Sequence, residues 1–84
     1  MTKLRYFAWV RERIGKSEEE IDLPEELRTV SDLLTWLKSR GDGYETALQH
    51  QHAIRVAINQ EHADHGEGIS GAREIGLFPP MTGG

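Results

Sequence analysis

The chain has 84 residues, of which 37% are hydrophobic and 29% are charged, and its formal net charge is −4 at pH 7. This composition predicts a single soluble globular domain, and the acidic balance disfavours nucleic-acid binding, which requires a basic patch. Because there is no cysteine, no signal-peptide pattern at the N-terminus and no apolar run near the roughly 20 residues of a membrane span, the sequence predicts a cytoplasmic protein without disulfides, thiolate chemistry or membrane contact.

Two strands are predicted in the first part of the chain. The first alternates from Lys3 to Val10, with Leu4, Tyr6, Ala8 and Val10 on one face and Lys3, Arg5, Phe7 and Trp9 on the other. Its end is predicted to turn into a short helix through WVRERIG that stops near Gly15. The segment SEEEIDL predicts a charged edge strand, which ends at Pro24 and whose glutamates, Glu18 to Glu20, are expected to be solvated.

The segment TVSDLLTWLKSRG predicts the main helix. Its apolar stripe has helical spacing and consists of Val30, Leu33, Leu34 and Leu37. Thr29 is predicted as the N-cap with Asp32 as its acidic partner at N3, and Gly41 as the C′ residue. A second short helix is predicted through YETALQHQ.

The second half of the chain predicts further strands. AIRVAINQ alternates, NQEH is expected to turn into a short strand, and HGEGISGA is a loop. The last strand, REIGLFPP, points Ile75 and Leu77 to one face and Glu74, Gly76 and Phe78 to the other, and Pro79 ends it. The whole order predicts an α+β fold of the β-grasp type, a mixed sheet packed on one main helix with one or two short helices. The domain is expected to span residues 1–78, with residues 79–84 as an extended tail.

The solvent face of this predicted sheet carries two phenylalanines near the start of the tail. Phe7 and Phe78 share that face with Arg5, Arg55 and Gly76. Large apolar groups on a polar face are typical of a binding patch. The alternative is that a loop or the short helix covers either ring.

The tail sequence FPPMTGG combines a stiff start with a slim end. Pro79 and Pro80 favour an extended exit of the chain, and Gly83 and Gly84 carry no Cβ. The extended reach from Pro79 to Gly84 is about 20 Å. This pattern predicts insertion of the terminal carboxylate into the active site of a partner protein.

Four segments, FAWVRERIG, TVSDLLTWL, VAINQ and GLFPPMTGG, together resemble the small subunit of molybdopterin synthase, a family of ubiquitin-like sulfur carriers. The resemblance implies that the Gly84 carboxylate is adenylated, converted to a thiocarboxylate and used to donate sulfur to a cyclic pyranopterin in molybdenum cofactor biosynthesis. It also implies that Thr82 and Gly83 thread the partner's channel. Ala72 and His62 depart from the family pattern, in which an acidic and an apolar residue are usual.

The resemblance also implies the partners. They are a large synthase subunit, expected in a heterotetramer and carrying the active-site residues, an adenylyltransferase related to ubiquitin activators, and a sulfur donor protein. This chain would be the non-catalytic subunit, and ATP would be bound by the activating partner, with no cofactor or metal bound by the chain itself. The expected interface with the large subunit consists of Arg5, Phe7, Arg55, Gly76, Phe78, Pro79, Pro80 and Met81.

Two other functions remain open at this stage. The chain could be a sulfur carrier of another pathway, such as thiamine synthesis or tRNA thiolation, or a non-covalent ubiquitin-like binding module whose tail is never activated. A metal site formed by His50, His52, His62 and His65 is the weaker interpretation, because these residues lie in loop-like sequence without a recognisable ligand spacing. They are predicted to be surface residues.

Overall fold

The computed structural model describes residues 1–80, so the tail residues Met81, Thr82, Gly83 and Gly84 lie outside the described part of the chain. The strands are β1 (Thr2–Tyr6), β2 (Glu18–Ile21), β3 (Arg55–Ile58), β4 (Glu61–Ala63) and β5 (Glu74–Phe78). The helices are α1 (Ala8–Ile14), α2 (Val30–Lys38) and α3 (Asp42–Ala47), and a 3₁₀ helix spans Gln51–Ala53. None of the helices within residues 1–80 is long and apolar enough to cross a membrane.

The five strands form one mixed sheet in the order β2-β1-β5-β3-β4. The two central strands, β1 and β5, run parallel, and every other neighbouring pair is antiparallel. The predicted β-grasp fold is confirmed, and so is the position of the charged strand β2 at the edge of the sheet.

The first strand is shorter than predicted. It ends at Tyr6 rather than Val10, and Phe7, in an extended conformation, is the N-cap of α1. The alternation extends past Tyr6 by chance, because Val10, which is fully buried, and Ile14, which packs against the core, lie four residues apart on one face of α1. Gly15, with φ of 92°, ends the helix as predicted, and its N–H donates to the carbonyl of Arg11 at 2.8 Å.

The main helix begins as predicted. The Thr29 hydroxyl accepts a hydrogen bond from the Asp32 N–H, while the Asp32 carboxylate accepts from the backbone N–H groups of Arg28 and Thr29 at 3.0 and 3.1 Å. The hydrogen bond from the Arg28 N–H has the largest effect on the Asp32 carboxyl, followed by that from the Thr29 N–H, and together they lower its pKa. The predicted C-terminal role of Gly41 is wrong. The helix ends at Lys38 with Ser39 as its C-cap, and Gly41 is the N-cap of α3.

The hydrophobic core lies between one face of the sheet and the helices. The whole predicted stripe of α2, Val30, Leu33, Leu34 and Leu37, is fully buried. The sheet contributes Leu4, Tyr6, Val56, Ile75 and Leu77 to the same core. The opposite face of the sheet, called the outer face below, carries the remaining alternate residues of each strand.

One glutamate of the edge strand is not solvated, in contrast to the prediction for Glu18 to Glu20. The side chain of Glu19 is 13% exposed, and its Oε2 accepts hydrogen bonds from the hydroxyls of Tyr6 and Tyr44, both at 2.6 Å. Its Oε1 lies 3.3 Å from Arg40 and 3.4 Å from Lys16. Burial would raise the pKa of Glu19, but the hydrogen bonds from Tyr44 and Tyr6 and the two cations outweigh it and lower the pKa.

We expect Glu19→Gln to reduce the free energy of unfolding at pH 7 by about 1 to 2 kcal/mol, because hydrogen bonds to a charged acceptor are lost. A carboxyl with a lowered pKa in the folded state stabilises the protein above its ordinary pKa, and that contribution disappears as the pH falls through the lower value. Urea unfolding at a series of pH values below 6 should therefore show a weaker pH dependence for Glu19→Gln than for the wild type. Glu20→Gln, an exposed change on the same strand, is the control, and parallel pH profiles for Glu19→Gln and the wild type would contradict this expectation.

Candidate partner-binding site at the tail exit

The aromatic rings of Phe7 and Phe78 stack on the outer face, with centroids 4.3 Å apart and an interplanar angle of 1°. They meet because β1 and β5 are parallel neighbours, so the C-terminal ends of both strands lie side by side. The N–H of Phe7 donates to the carbonyl of Leu77 at 3.1 Å, which extends the pairing one residue beyond β1. The sequence had suggested that both rings are exposed. In the structure both are half-buried, because each ring covers a face of the other.

Gly76 lies beneath the two rings. A Cβ added at this position would be 3.1 Å from Cε1 of Phe78 and 3.2 Å from Cε2 of Phe7. Only glycine leaves space for both rings to lie close to the sheet at this position. The stack therefore depends on three residues that sequence periodicity alone had placed on one face.

An open groove of about 520 Å³ lies beside the stack. Its apolar lining includes Phe7, Ala8, Ala57, Phe78, Pro79 and Pro80. Pro79 and Pro80 are half-buried, so the first described residues of the tail form part of the groove wall. Ala8 and Ala57 were missed in the sequence, where their small side chains gave no sign of a binding surface.

Two arginines flank the apolar surface. The guanidinium of Arg5 lies 5.3 Å from the ring centroid of Phe7, and its Nη1 lies 3.7 Å from Oε2 of Glu74. Arg55 is exposed and is paired with Phe78 in the register of β3 and β5. The structure thus brings Arg5, Phe7, Arg55, Gly76, Phe78, Pro79 and Pro80 together around the start of the tail. The predicted interface residue Met81 and the predicted roles of Thr82, Gly83 and Gly84 fall outside the described residues.

The four histidines have different surroundings. Nε2 of His65 lies 2.7 Å from the carbonyl oxygen of Ile54, and Nε2 of His62 lies 3.7 Å from the Asp64 carboxylate. The rings of His50 and His52 meet edge to face at 6.3 Å. Within residues 1–80, no three or more histidine, aspartate or glutamate side chains are arranged to hold a metal ion.

Comparison with known proteins agrees with the fold. The model of the ThiS family matches residues 4–84. The chain belongs to the ThiS family. The resemblance found in the sequence motifs is therefore confirmed at the level of the family.

Curated relatives match the chain from end to end. It is 33% identical over 84 residues to the molybdopterin synthase sulfur carrier subunit of Haemophilus influenzae, with 100% of both chains covered. It is 31% identical over 86 residues to the molybdopterin synthase sulfur carrier subunit of Escherichia coli, again with 100% of both covered. A crystal structure of small archaeal modifier protein 1 from Haloferax volcanii is similar with a TM-score of 0.70 and 28% identity, over 95% of this chain and 97% of that one.

We expect Gly76→Ala to reduce the free energy of unfolding by about 1 kcal/mol, because the added methyl group forces the stacked rings away from the sheet. This net loss remains after the gain of roughly 0.4 to 1 kcal/mol that alanine usually brings when it replaces glycine at a compatible backbone position. Gly66→Ala is the matched control, since a Cβ there would meet nothing within 4 Å. Urea unfolding and near-ultraviolet circular dichroism measure both effects, and equal stabilities of the two variants would contradict the packing described for Gly76.

Proposed function

We propose that this chain is a sulfur carrier whose Gly84 carboxylate is adenylated, converted to a thiocarboxylate and used to donate sulfur to a cyclic pyranopterin within molybdopterin synthase. The observation that carries the proposal is its end-to-end similarity to curated proteins named molybdopterin synthase sulfur carrier subunit. The sequence adds two terminal glycines, which suit a narrow channel because neither has a side chain.

The proposed chemistry begins with a carboxylate that is ionised at pH 7 and therefore a poor electrophile. Attack of a Gly84 carboxylate oxygen on the α-phosphorus of ATP, with loss of pyrophosphate, produces an acyl-adenylate in the activating partner. A persulfide of the donor protein then attacks the acyl carbon and displaces AMP, and a second thiol of the donor cleaves the resulting acyl disulfide, which leaves the thiocarboxylate and a disulfide on the donor. The thiocarboxylate sulfur then forms a C–S bond to the pterin, and hydrolysis of the resulting thioester leaves the sulfur on the pterin and returns the carboxylate for another cycle.

The described residues support a division of labour between this chain and its partners. The outer face beside the tail is an apolar surface that a large synthase subunit could cover, with the stacked rings of Phe7 and Phe78 at its centre. Among the described residues that line the groove, the ionisable side chains are Arg55 and His62, and there is no carboxylate. As the resemblance to molybdopterin synthase implies, we assign acid–base catalysis and the pterin pocket to the large subunit, and ATP binding to the adenylyltransferase.

The covalent part of the proposal can be tested by intact-protein mass spectrometry of the chain purified from its native cell. A fraction of the wild-type molecules should be heavier by the exchange of one oxygen for one sulfur atom. Adding one alanine after Gly84 should abolish this form, because the carboxylate moves by about 3.5 Å and the new terminus carries a side chain. Unchanged thermal unfolding would show that the extended variant is folded, and sulfur loading of that variant at the wild-type level would exclude the proposal.

We expect Phe78→Asp to weaken binding to the large synthase subunit by at least about tenfold, because a charge would replace half of the aromatic stack. Isothermal titration calorimetry with the purified large subunit measures the change, and thermal unfolding checks that the variant remains folded. Thr46→Asp, an exposed change on α3, is the control. An affinity equal to that of the wild type would remove Phe78 from the interface.

A second candidate is protein modification, which the similarity to small archaeal modifier protein 1 favours. In that case the activated Gly84 carboxylate would form an amide bond with an amine of another protein. Conjugates of higher mass that contain the wild-type chain and disappear on deletion of Gly84 would favour modification. Deletion of the gene distinguishes the sulfur pathways. The deletion strain would lack molybdopterin, thiamine or thiolated tRNA, according to the pathway that the carrier serves.

A further inference from the structure

The ionisable lining of the groove carries only basic side chains. Nine described residues line the groove, and the ionisable ones among them are Arg55 and His62. Both lie on the outer face, because Arg55 is paired with Phe78 and His62 with Ala57, the partner of Gly76 in β5. The chain as a whole has a net charge of −4, so this basic rim does not follow from its composition.

The remainder of the outer face has a different charge pattern. The cations of β1 are matched within the chain, since Lys3 lies 3.7 Å from Glu18 and Arg5 lies 3.7 Å from Glu74. None of the ion pairs within residues 1–80 includes Arg55. His62 has an acidic neighbour in Asp64, whose carboxylate lies 3.7 Å from Nε2 of His62 and whose side chain is 85% exposed. Among the described residues, the ion pairs on this face therefore leave out Arg55 but include His62.

A protein that covers the groove has to supply an acceptor for Arg55, which no ion pair within residues 1–80 includes. Interfaces combine an apolar centre with a polar rim, and a guanidinium that is removed from water without an acceptor weakens binding. A carboxylate fits the planar donor fork of arginine better than any neutral acceptor. The apolar stack and the basic rim together thus fit a surface that presents an apolar side chain next to an acidic one.

We propose that the partner docked on this groove places a carboxylate side chain against Arg55 and His62, beside an apolar side chain that contacts the Phe7–Phe78 stack. The proposal rests on the proposed function in one respect, the identity of that partner as the large synthase subunit. The basic pair then serves to select partners, because an apolar surface with a basic rim is repelled by Arg55.

The contact can be tested directly by zero-length coupling. Arg55→Lys keeps the charge and provides a primary amine, which a carbodiimide condenses with a carboxylate in contact with it. In a mixture with the large subunit, the amine introduced at position 55 should couple to an aspartate or glutamate of that subunit, as identified by peptide mass spectrometry. Arg73→Lys introduces the same amine at the opposite end of β5, away from the groove, and should give no such product.

Calorimetry supplies the second measurement. Arg55→Glu and His62→Glu should each lower the affinity for the large subunit by about tenfold, whereas Arg73→Glu, with the same change of charge as Arg55→Glu, should lower it less than about twofold. In the double variant Arg55→Gln/His62→Gln, raising the salt concentration should weaken binding less than in the wild type. Thermal unfolding shows which variants are folded.

The outcomes separate the two proposals. If the wild-type chain binds the large subunit, but Arg55→Glu and His62→Glu bind as tightly and no coupling occurs at position 55, the acidic contact is refuted and the sulfur carrier function stands. If the wild-type chain does not bind the large subunit, the proposed function loses its partner, and the inference falls with it.

Discussion

Backbone hydrogen bonds between β1 and β5 join the two ends of the chain at the centre of the sheet. Because this pairing is parallel, both strands end at the same edge, where Phe7 and Phe78 stack over Gly76. The same pairing directs Pro79 and Pro80 into the wall of the groove. The position of the candidate site and the start of the tail therefore follow from one register, in which Arg5 lies beside Gly76 and Tyr6 beside Leu77.

Features that depend on neighbouring residues could be predicted from the sequence. The capping box of α2 needs only Thr29 and Asp32 at the right spacing, and its stripe of four buried residues follows from the helical period. The alternation of β5 was enough to assign Gly76 and Phe78 to the face opposite Ile75. These signals are local, and the tertiary structure left them unchanged, whereas it overrode the local signals that extended β1 to Val10 and placed Gly41 at the end of α2.

Features that join distant parts of the chain could not be predicted in the same way. The stacking of Phe7 and Phe78 requires a register between strands that are far apart in sequence, and a pattern of alternation contains no register. Glu19 looked like one of three solvated glutamates because its hydrogen-bonding partners, Tyr6 and Tyr44, come from two other elements. The basic rim could not be predicted from the sequence either, because Arg55 and His62 come together only through the pairing of β3 with β4.

The central position of β5 also has a mechanical consequence. Force applied to the tail, for example during withdrawal from a tight channel, would pull along a strand that is hydrogen-bonded on both sides, to β1 and to β3. The inter-strand bonds lie across the direction of pull, so they would be loaded together in shear instead of opening one after another. An edge strand such as β2 would peel away under a smaller load. The fold thus anchors its tail at the point where the sheet best resists extraction.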